Sequence, residues 1–181
     1  GIDRILLPNI DLESIEPMLK TEAAYPQVCR SMMGLHPCYV DGNVEQTLQV
    51  IRHWFENHNF IAVGEIGIDL YWDKTYKAEQ EMAFVTQLNW AKEMKLPVVI
   101  HTRDSIEETL QLLEQEQDGS LSGVFHCFGG SVEEAKAING LGFHLGLGGV
   151  STFKNGGMDK VIPSLDMDCL LYTSDAADES S

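Results

Sequence analysis

Short apolar runs alternate with longer amphipathic segments along almost the whole chain. Seven runs are nearly continuous in apolar residues, as strands buried on both faces of a parallel sheet must be. They are residues 4–8, 30–35, 61–64, 97–100, 123–125, 143–147 and 169–171. Parallel strands joined by helices need right-handed crossovers. The alternation therefore predicts an α/β fold, either a doubly wound sheet or a (β/α) barrel.

The segments between these runs have the apolar spacing of helices. Residues 44–58 and 78–94 each place their large apolar side chains on one face. Ser105 with Glu108, and Ser131 with Glu134, have the spacing of capping boxes, in which a serine and a glutamate satisfy the first backbone N–H groups of a helix. Each pair follows an apolar run, so the pattern predicts repeated β-loop-α units.

Four of the predicted strands run into a residue with acid–base or metal-binding chemistry. These residues are His36, Glu65, His101 and His126. Reactive residues of a (β/α) barrel come from the carboxyl ends of several strands. A doubly wound sheet that binds a nucleotide would carry a Gly-x-Gly-x-x-Gly loop, and residues 146–149 lack that spacing. We therefore predict a TIM-type barrel.

These residue types suit a divalent cation. Two imidazoles and a carboxylate bind Zn²⁺ well, and a carboxylate can be shared by two ions ~3.5–4 Å apart. Glu65, between Gly64 and Gly67, is the best candidate for sharing. Each residue also has a structural explanation: His36 could fix the turn at Pro37, and Glu65 could pair with a lysine. Their common position at strand ends favours the metal site. We interpret His53, His58 and His144, which lie in a helix or inside a strand, as structural.

Charge and cysteine usage limit the class of protein. The chain has 12 Lys and Arg against 28 Asp and Glu, a net charge of −16. A nucleic-acid binder with a basic surface would have the opposite balance, so a DNA substrate needs a bound cation or a small basic patch. The four cysteines form no metal or disulfide pattern, and no secretion signal or membrane span is evident. We expect a soluble cytoplasmic protein.

Five ordered motifs resemble the TatD family of metal-dependent deoxyribonucleases. They are Gly-Leu-His-Pro at 34–37; Val-Gly-Glu-Ile-Gly-Ile-Asp at 63–69, followed by Tyr71, Trp72, Gln80 and Phe84; Leu-Pro-Val-Val-Ile-His-Thr-Arg-Asp at 96–104; Phe-His-Cys-Phe-Gly-Gly at 125–130; and Gly-Phe-His-Leu-Gly at 142–146. The resemblance extends over nearly the whole chain. It implies a TIM-barrel hydrolase that cleaves DNA phosphodiester bonds with metal-activated water, as a 3′-5′ exonuclease.

By matching position, the resemblance implies roles for individual residues. Glu65, His101 and His126 would be metal ligands, with Glu65 also catalytic and shared between two Mg, Mn or Zn ions. His36 would line the substrate side and take part in catalysis. The substrate would be DNA with single-stranded or frayed 3′ ends, with no membrane and no obligate protein partner.

Two further residues of these motifs are expected to bind substrate. Arg103 is a candidate phosphate contact, because a guanidinium matches phosphate geometry. A salt bridge from Arg103 to Asp104 or Asp69 is an equal alternative. Asp69 is also assigned to the substrate side, and its structural alternative is to cap the segment that follows.

The chain departs from the family at both ends. Family members begin with a strand ending in His-x-His and later carry Glu-Thr-Asp-x-Pro, whereas this chain opens at Gly1 and reads Tyr-Thr-Ser-Asp from Tyr172. We expect residues 1–171 to be an incomplete barrel without its first strand and C-terminal part, impaired in activity by itself. Residues 172–181 would be a tail foreign to the family, and Asp175 is not assigned as a ligand.

Two other functions remain open. An amidohydrolase-like lactonase or phosphotriesterase would share the barrel and the metal, since site geometry rather than fold decides function. Many such enzymes share a lysine between their metals, so Glu65 favours the nuclease. A non-catalytic barrel scaffold is the third interpretation.

Overall fold

Seven parallel strands form the frame of the computed structural model, which describes residues 3–152 and 157–172. They are β1 (Ile5–Pro8), β2 (Cys29–Met32), β3 (Val63–Asp69), β4 (Val98–Arg103), β5 (Gly123–Phe125), β6 (Phe143–Leu147) and β7 (Leu170–Tyr172). β1 pairs with β2, β3 to β7 pair in chain order, and a bridge between Met33 and Val63 joins the two groups. This order never reverses, as it would in a doubly wound sheet. Within the described ranges the strands form an open arc of a barrel.

All seven predicted strands are present, but β3 and β4 extend further than predicted. β3 continues to Asp69 and β4 to Arg103, so Glu65 and His101 lie inside strands rather than after them. The Gly64–Glu65 peptide is cis, and the β3–β4 register shifts between Val63 and Ile66. The prediction ended these strands too early because it followed apolar residues alone, whereas backbone pairing continues through the polar positions.

Within the described residues, six α-helices accompany the strands. They are α1 (Ile15–Ala24), α2 (Val44–Asn57), α3 (Lys77–Met94), α4 (Ile106–Glu116), α5 (Val132–Gly140) and α6 (Met158–Val161). The predicted helices at 44–58 and 78–94 are confirmed to within one residue. Their apolar faces cover the outside of the strands, as a (β/α) barrel requires.

The two predicted capping boxes have different outcomes. At α5, Ser131 Oγ accepts the Glu134 N–H at 3.2 Å and Glu134 Oε2 accepts the Ser131 N–H at 2.6 Å, so this box is confirmed. The prediction of a capping box at α4 was wrong, because Ser105 makes no side-chain capping bond there. Ser105 Oγ instead donates to the Ile68 carbonyl at 2.5 Å and accepts the Arg103 N–H at 3.1 Å. The hydroxyl thus ties the end of β4 to β3, which is a long-range bond that sequence spacing does not reveal.

Two apolar clusters hold the elements together. The larger joins β3 to β6 with α3, α4 and α5, and its fully buried side chains include Phe84, Phe125 and Phe143. The smaller joins α1 and α2 to the chain after β2. Helix α3 contributes Phe84 to the first cluster and Ala83 to the second. α3 therefore fixes the β2 end of the arc relative to β3.

No helix in the described part of the chain is long and apolar enough to cross a membrane. The expected foreign tail lies outside the described residues, except that Tyr172 is the last residue of β7. Asp175 also lies outside them.

Candidate metal centre

Strands β3 and β4 bring Glu65 and His101 together. Glu65 is 7% exposed, and its Oε1 lies 3.3 Å from Nδ1 of His101. The neighbouring strands pair Gly67 directly with His101. An added Cβ at Gly67 would overlap the His101 carbonyl, so only glycine permits this approach. Gly67 therefore lets the backbones of β3 and β4 approach closely beside these two functional side chains.

His36 completes a group of three candidate ligands. One ligand atom from each of His36, Glu65 and His101 lies within 4.8 Å of the others. The His36 and His101 rings lie 4.4 Å apart between centroids. His36 Nδ1 accepts the Cys38 N–H at 3.2 Å, at the start of a short 3₁₀ turn containing Pro37. This bond orients the ring. A role of His36 in the turn is therefore compatible with a role as a metal ligand.

Asp69 lies behind His101 rather than in the open part of the site. It is 2% exposed, and its Oδ2 lies 2.9 Å from His101 Nε2. Its Oδ1 accepts the N–H groups of Tyr71 at 3.0 Å and Trp72 at 3.3 Å. A carboxylate on the second nitrogen of a ligating imidazole fixes its tautomer and orientation. Asp69 is placed for this task, and it also caps the following turn.

The two carboxylates that contact His101 are held in their charged forms. Burial acts to lower the pKa of His101, but hydrogen bonds to Asp69 and Glu65 and their charges outweigh it and raise the pKa to about 9. Burial opposes ionisation of Asp69, yet the His101 hydrogen bond and two backbone N–H groups lower its pKa to about 2. The pKa of Glu65 is likewise lowered despite burial, by the His101 hydrogen bond and the charges of His126, His36 and His101. Both carboxyls are therefore anionic at neutral pH.

The donor set fits a divalent metal ion. Two imidazole nitrogens and a carboxylate oxygen are ligands that Zn²⁺ and similar ions accept. In this group they converge within 4.8 Å from three separate segments of the chain. His36, Glu65 and His101 would hold the ion.

The structure places His126 nearby but outside this group. It directly follows β5, and its N–H donates to the Ile100 carbonyl at 2.8 Å. Its charge helps to lower the pKa of Glu65, and its Nε2 lies 3.3 Å from Cys127 Sγ. Of the predicted ligands, Glu65 and His101 belong to the group within 4.8 Å and His126 does not, so its role as a ligand stays a prediction.

Arg103 lies at the carboxyl end of β4 and stacks on aromatic rings. Its guanidinium carbon is 3.9 Å from the Tyr71 ring centroid and 5.1 Å from that of Trp72. Neither alternative salt bridge, from Arg103 to Asp69 or to Asp104, is formed between these described residues, and Asp69 instead lies beside His101. Residues two apart in a strand face the same side, so Arg103 and His101 share a face of the sheet.

The backbone is unusual at two strand ends near this site. Asp104 has a φ of +53° and Cys127 a φ of +47°. Such conformations are uncommon outside glycine and recur at functional sites. Asp104 follows Arg103 and Cys127 follows His126. The backbone therefore changes direction immediately after two candidate site residues.

The histidines interpreted as structural have contacts elsewhere. His53 lies by Glu56 and Asn57 on α2, and His58 Nε2 lies 3.2 Å from Glu22 Oε2. His144 is exposed on β6.

Two glutamines of α3 support the site and had no predicted role. Gln87, 1% exposed, accepts the Leu35 N–H at 2.7 Å and donates to the Leu35 carbonyl at 3.3 Å. Gln80, 4% exposed, accepts the Asp69 N–H at 2.9 Å. They flank Phe84 on the buried face of α3. Their spacing of four and three residues from Phe84 places both glutamines on the buried face of α3, and this spacing was the sequence signal for a buried role.

Gln87→Ala is expected to destabilise the protein by about 2 kcal/mol. The change leaves the buried Leu35 N–H without its acceptor, and an unsatisfied buried group costs about 1–3 kcal/mol. Urea unfolding followed by circular dichroism measures the loss. Gln111→Ala, on the exposed face of α4, is the matched control and should change stability by less than about 0.5 kcal/mol. Equal stability of the two variants would contradict the proposed support.

Comparisons with known proteins agree with this geometry. A family model described as TatD related DNase matches residues 1–179. The metal-dependent hydrolase YabD of Bacillus subtilis is 33% identical over 96% of this chain and 68% of its own length. The 3′-5′ ssDNA/RNA exonuclease TatD of Yersinia pseudotuberculosis is 32% identical over 97% of this chain and 68% of its own length.

Solved structures confirm the predicted TIM-type fold. The crystal structure of the TatD homolog YjjV from Escherichia coli superposes with a TM-score of 0.88 and 28% identity, over 97% of this chain and 68% of that one. A TatD family hydrolase from Entamoeba histolytica has a TM-score of 0.78 at 21% identity, over 97% of this chain and 61% of that one, which shows likeness of fold alone.

Proposed function

The chain belongs to the TatD family of metal-dependent hydrolases, and on that premise we propose that it cleaves phosphodiester bonds of nucleic acids. The observation that carries the proposal is the convergence of His36, which follows β2, with Glu65 in β3 and His101 in β4. The Yersinia relative named as a 3′-5′ ssDNA/RNA exonuclease supports this substrate class. We further propose that single-stranded 3′ ends are the preferred substrate.

A divalent metal ion bound here would supply a Lewis acid that activates water and stabilises charge on the phosphate. His36, Glu65 and His101 would hold one ion, and we propose Mg²⁺, Mn²⁺ or Zn²⁺ as that ion. Glu65 has two carboxylate oxygens, and His126 directly follows β5, the strand that pairs with β4. We propose that Glu65 and His126 contribute to a second ion.

The other residues position groups around this centre. Asp69 holds Nε2 of His101, which leaves Nδ1 directed at Glu65. Arg103, on the same face of β4 as His101, offers a cation for the phosphate in a chain whose net charge is −16. A guanidinium is suited to this task because its fork of N–H donors matches two phosphate oxygens.

The test is cleavage of a 5′-labelled single-stranded oligothymidylate by the full-length protein. With Mn²⁺ or Mg²⁺ added, we expect products shortened stepwise from the 3′ end. EDTA should stop the reaction, and excess Mn²⁺ should restore it. A covalently closed single-stranded circle is the control, because an exonuclease leaves it intact.

Other outcomes separate the competing functions. Hydrolysis of a lactone or a phosphotriester without phosphodiester cleavage would overturn the nuclease and support the amidohydrolase-like alternative. Metal binding without hydrolysis of any of these substrates would support the scaffold.

A further inference from the structure

Two exposed aromatic side chains lie beside the candidate metal centre. Trp72 is 69% exposed and Tyr71 is 52% exposed, in the loop between β3 and α3. Their rings meet edge to face, with centroids 4.9 Å apart and planes at 87°. With the Arg103 guanidinium stacked on them, they form a surface that we call the aromatic platform (Tyr71, Trp72 and Arg103).

The platform is held in place although its rings are exposed. Asp69 Oδ1 accepts the backbone N–H groups of both Tyr71 and Trp72. Arg103 covers part of both rings, at 3.9 Å and 5.1 Å from their centroids. A single exposed tryptophan needs no special explanation. Two exposed rings that share one cation and one backbone anchor form a preorganised surface, which lowers the entropic cost of binding a flat ligand.

The same carboxylate joins the platform to the candidate metal ligands. Asp69 Oδ1 holds the loop, while Oδ2 lies 2.9 Å from His101 Nε2. The platform position is therefore set relative to the centre where the phosphate would react. Aromatic side chains bind bases of single strands by stacking, and a neighbouring cation meets the phosphate.

We propose that the aromatic platform binds the nucleobase next to the scissile phosphate, with Trp72 as its main stacking surface. This inference rests on the proposed function. Arg103 contacts the phosphate of the same nucleotide. Stacking tolerates any base because every base has a π face. The platform therefore selects for the presence of a base rather than for a sequence.

The test compares two substrates and three variants of the full-length protein with Mn²⁺. The substrates are oligothymidylate and an abasic oligomer of equal length. Trp72→Ala should raise KM for oligothymidylate roughly 10-fold with kcat within about twofold, since one stacked base contributes about a tenfold change in affinity. KM for the abasic oligomer should not change. Trp72→Phe should recover most of the loss.

The matched control is Tyr25→Ala, which removes an aromatic side chain that is 63% exposed at the end of α1. It should leave both KM values unchanged. Equal effects of Trp72→Ala on the two substrates would overturn the inference, because the residue would then act through Asp69 on the metal centre rather than on a base.

A binding measurement keeps this inference separate from the proposed function. Oligothymidylate should quench tryptophan fluorescence in the presence of EDTA, the abasic oligomer should not, and Trp72→Ala should abolish the difference. Quenching without cleavage would retain the platform and overturn the nuclease. Cleavage without base-dependent quenching and without a base-dependent change in KM would support the nuclease and overturn the platform.

Discussion

Gly67→Ala is expected to destabilise the folded chain by more than about 4 kcal/mol, which is a large share of the roughly 5–15 kcal/mol that stabilises a typical domain. Gly67 lies in β3 opposite His101 with a φ of +149°, a value that residues with a side chain rarely adopt. An added Cβ would overlap the His101 carbonyl oxygen and lie 2.9 Å from its carbon. Relief requires β3 and β4 to separate at a position where Gly67 is buried in β3.

Urea unfolding of Gly67→Ala, followed by far-UV circular dichroism, measures this effect. Loss of a cooperative transition would be the extreme form of the expected result. Gly140→Ala is the control, because Gly140 ends α5 with open space around its Cα. Alanine there should be neutral or stabilise by up to about 1 kcal/mol. A Gly67→Ala midpoint close to that of the control would show that β3 and β4 are not this close.

Glu65→Gln is expected to weaken divalent-cation binding by more than about 100-fold. Loss of a residue that merely orients a ligand typically costs 10–100-fold, and Glu65 is placed as a ligand itself. The amide keeps the volume of the side chain but lacks the negative charge that favours the ion. Phosphodiester cleavage at a fixed Mn²⁺ concentration should fall by at least the same factor if it depends on that ion.

Calorimetric titration of the metal-free protein with Mn²⁺ measures the affinity directly. Glu16→Gln is the matched control, since Glu16 is a 75%-exposed carboxylate on α1 whose Oε2 lies 3.7 Å from Lys20 Nζ. It should bind Mn²⁺ as the wild type does. Unchanged affinity in Glu65→Gln would mean that the group of His36, Glu65 and His101 does not hold the cation.

Local patterns were sufficient for the strand and helix content. Strand positions follow from apolar runs, and α5 begins directly after Ser131 because its capping box uses residues only three apart. The same reasoning failed at Ser105, whose hydroxyl binds the Ile68 carbonyl, 37 residues away. A short-range rule cannot anticipate a partner that only the packing of β3 against β4 supplies.

For the candidate site too, some features were predictable from the sequence and others depended on the tertiary structure. Residue types at successive strand ends predicted which side of the fold carries the chemistry, because parallel strands all direct their carboxyl ends to one side. The membership and roles within the site depended on register and side-chain direction. These placed His36 beside His101, turned Asp69 behind it, and stacked Arg103 on Tyr71 and Trp72.

The order of β/α units and the nature of the functional groups are thus properties of the one-dimensional pattern, since periodicity and residue type are local. Which groups meet is a property of the tertiary structure alone. Contacts of about 3 Å between residues more than thirty positions apart, such as His101 with Asp69, exist only after the strands have paired in one register.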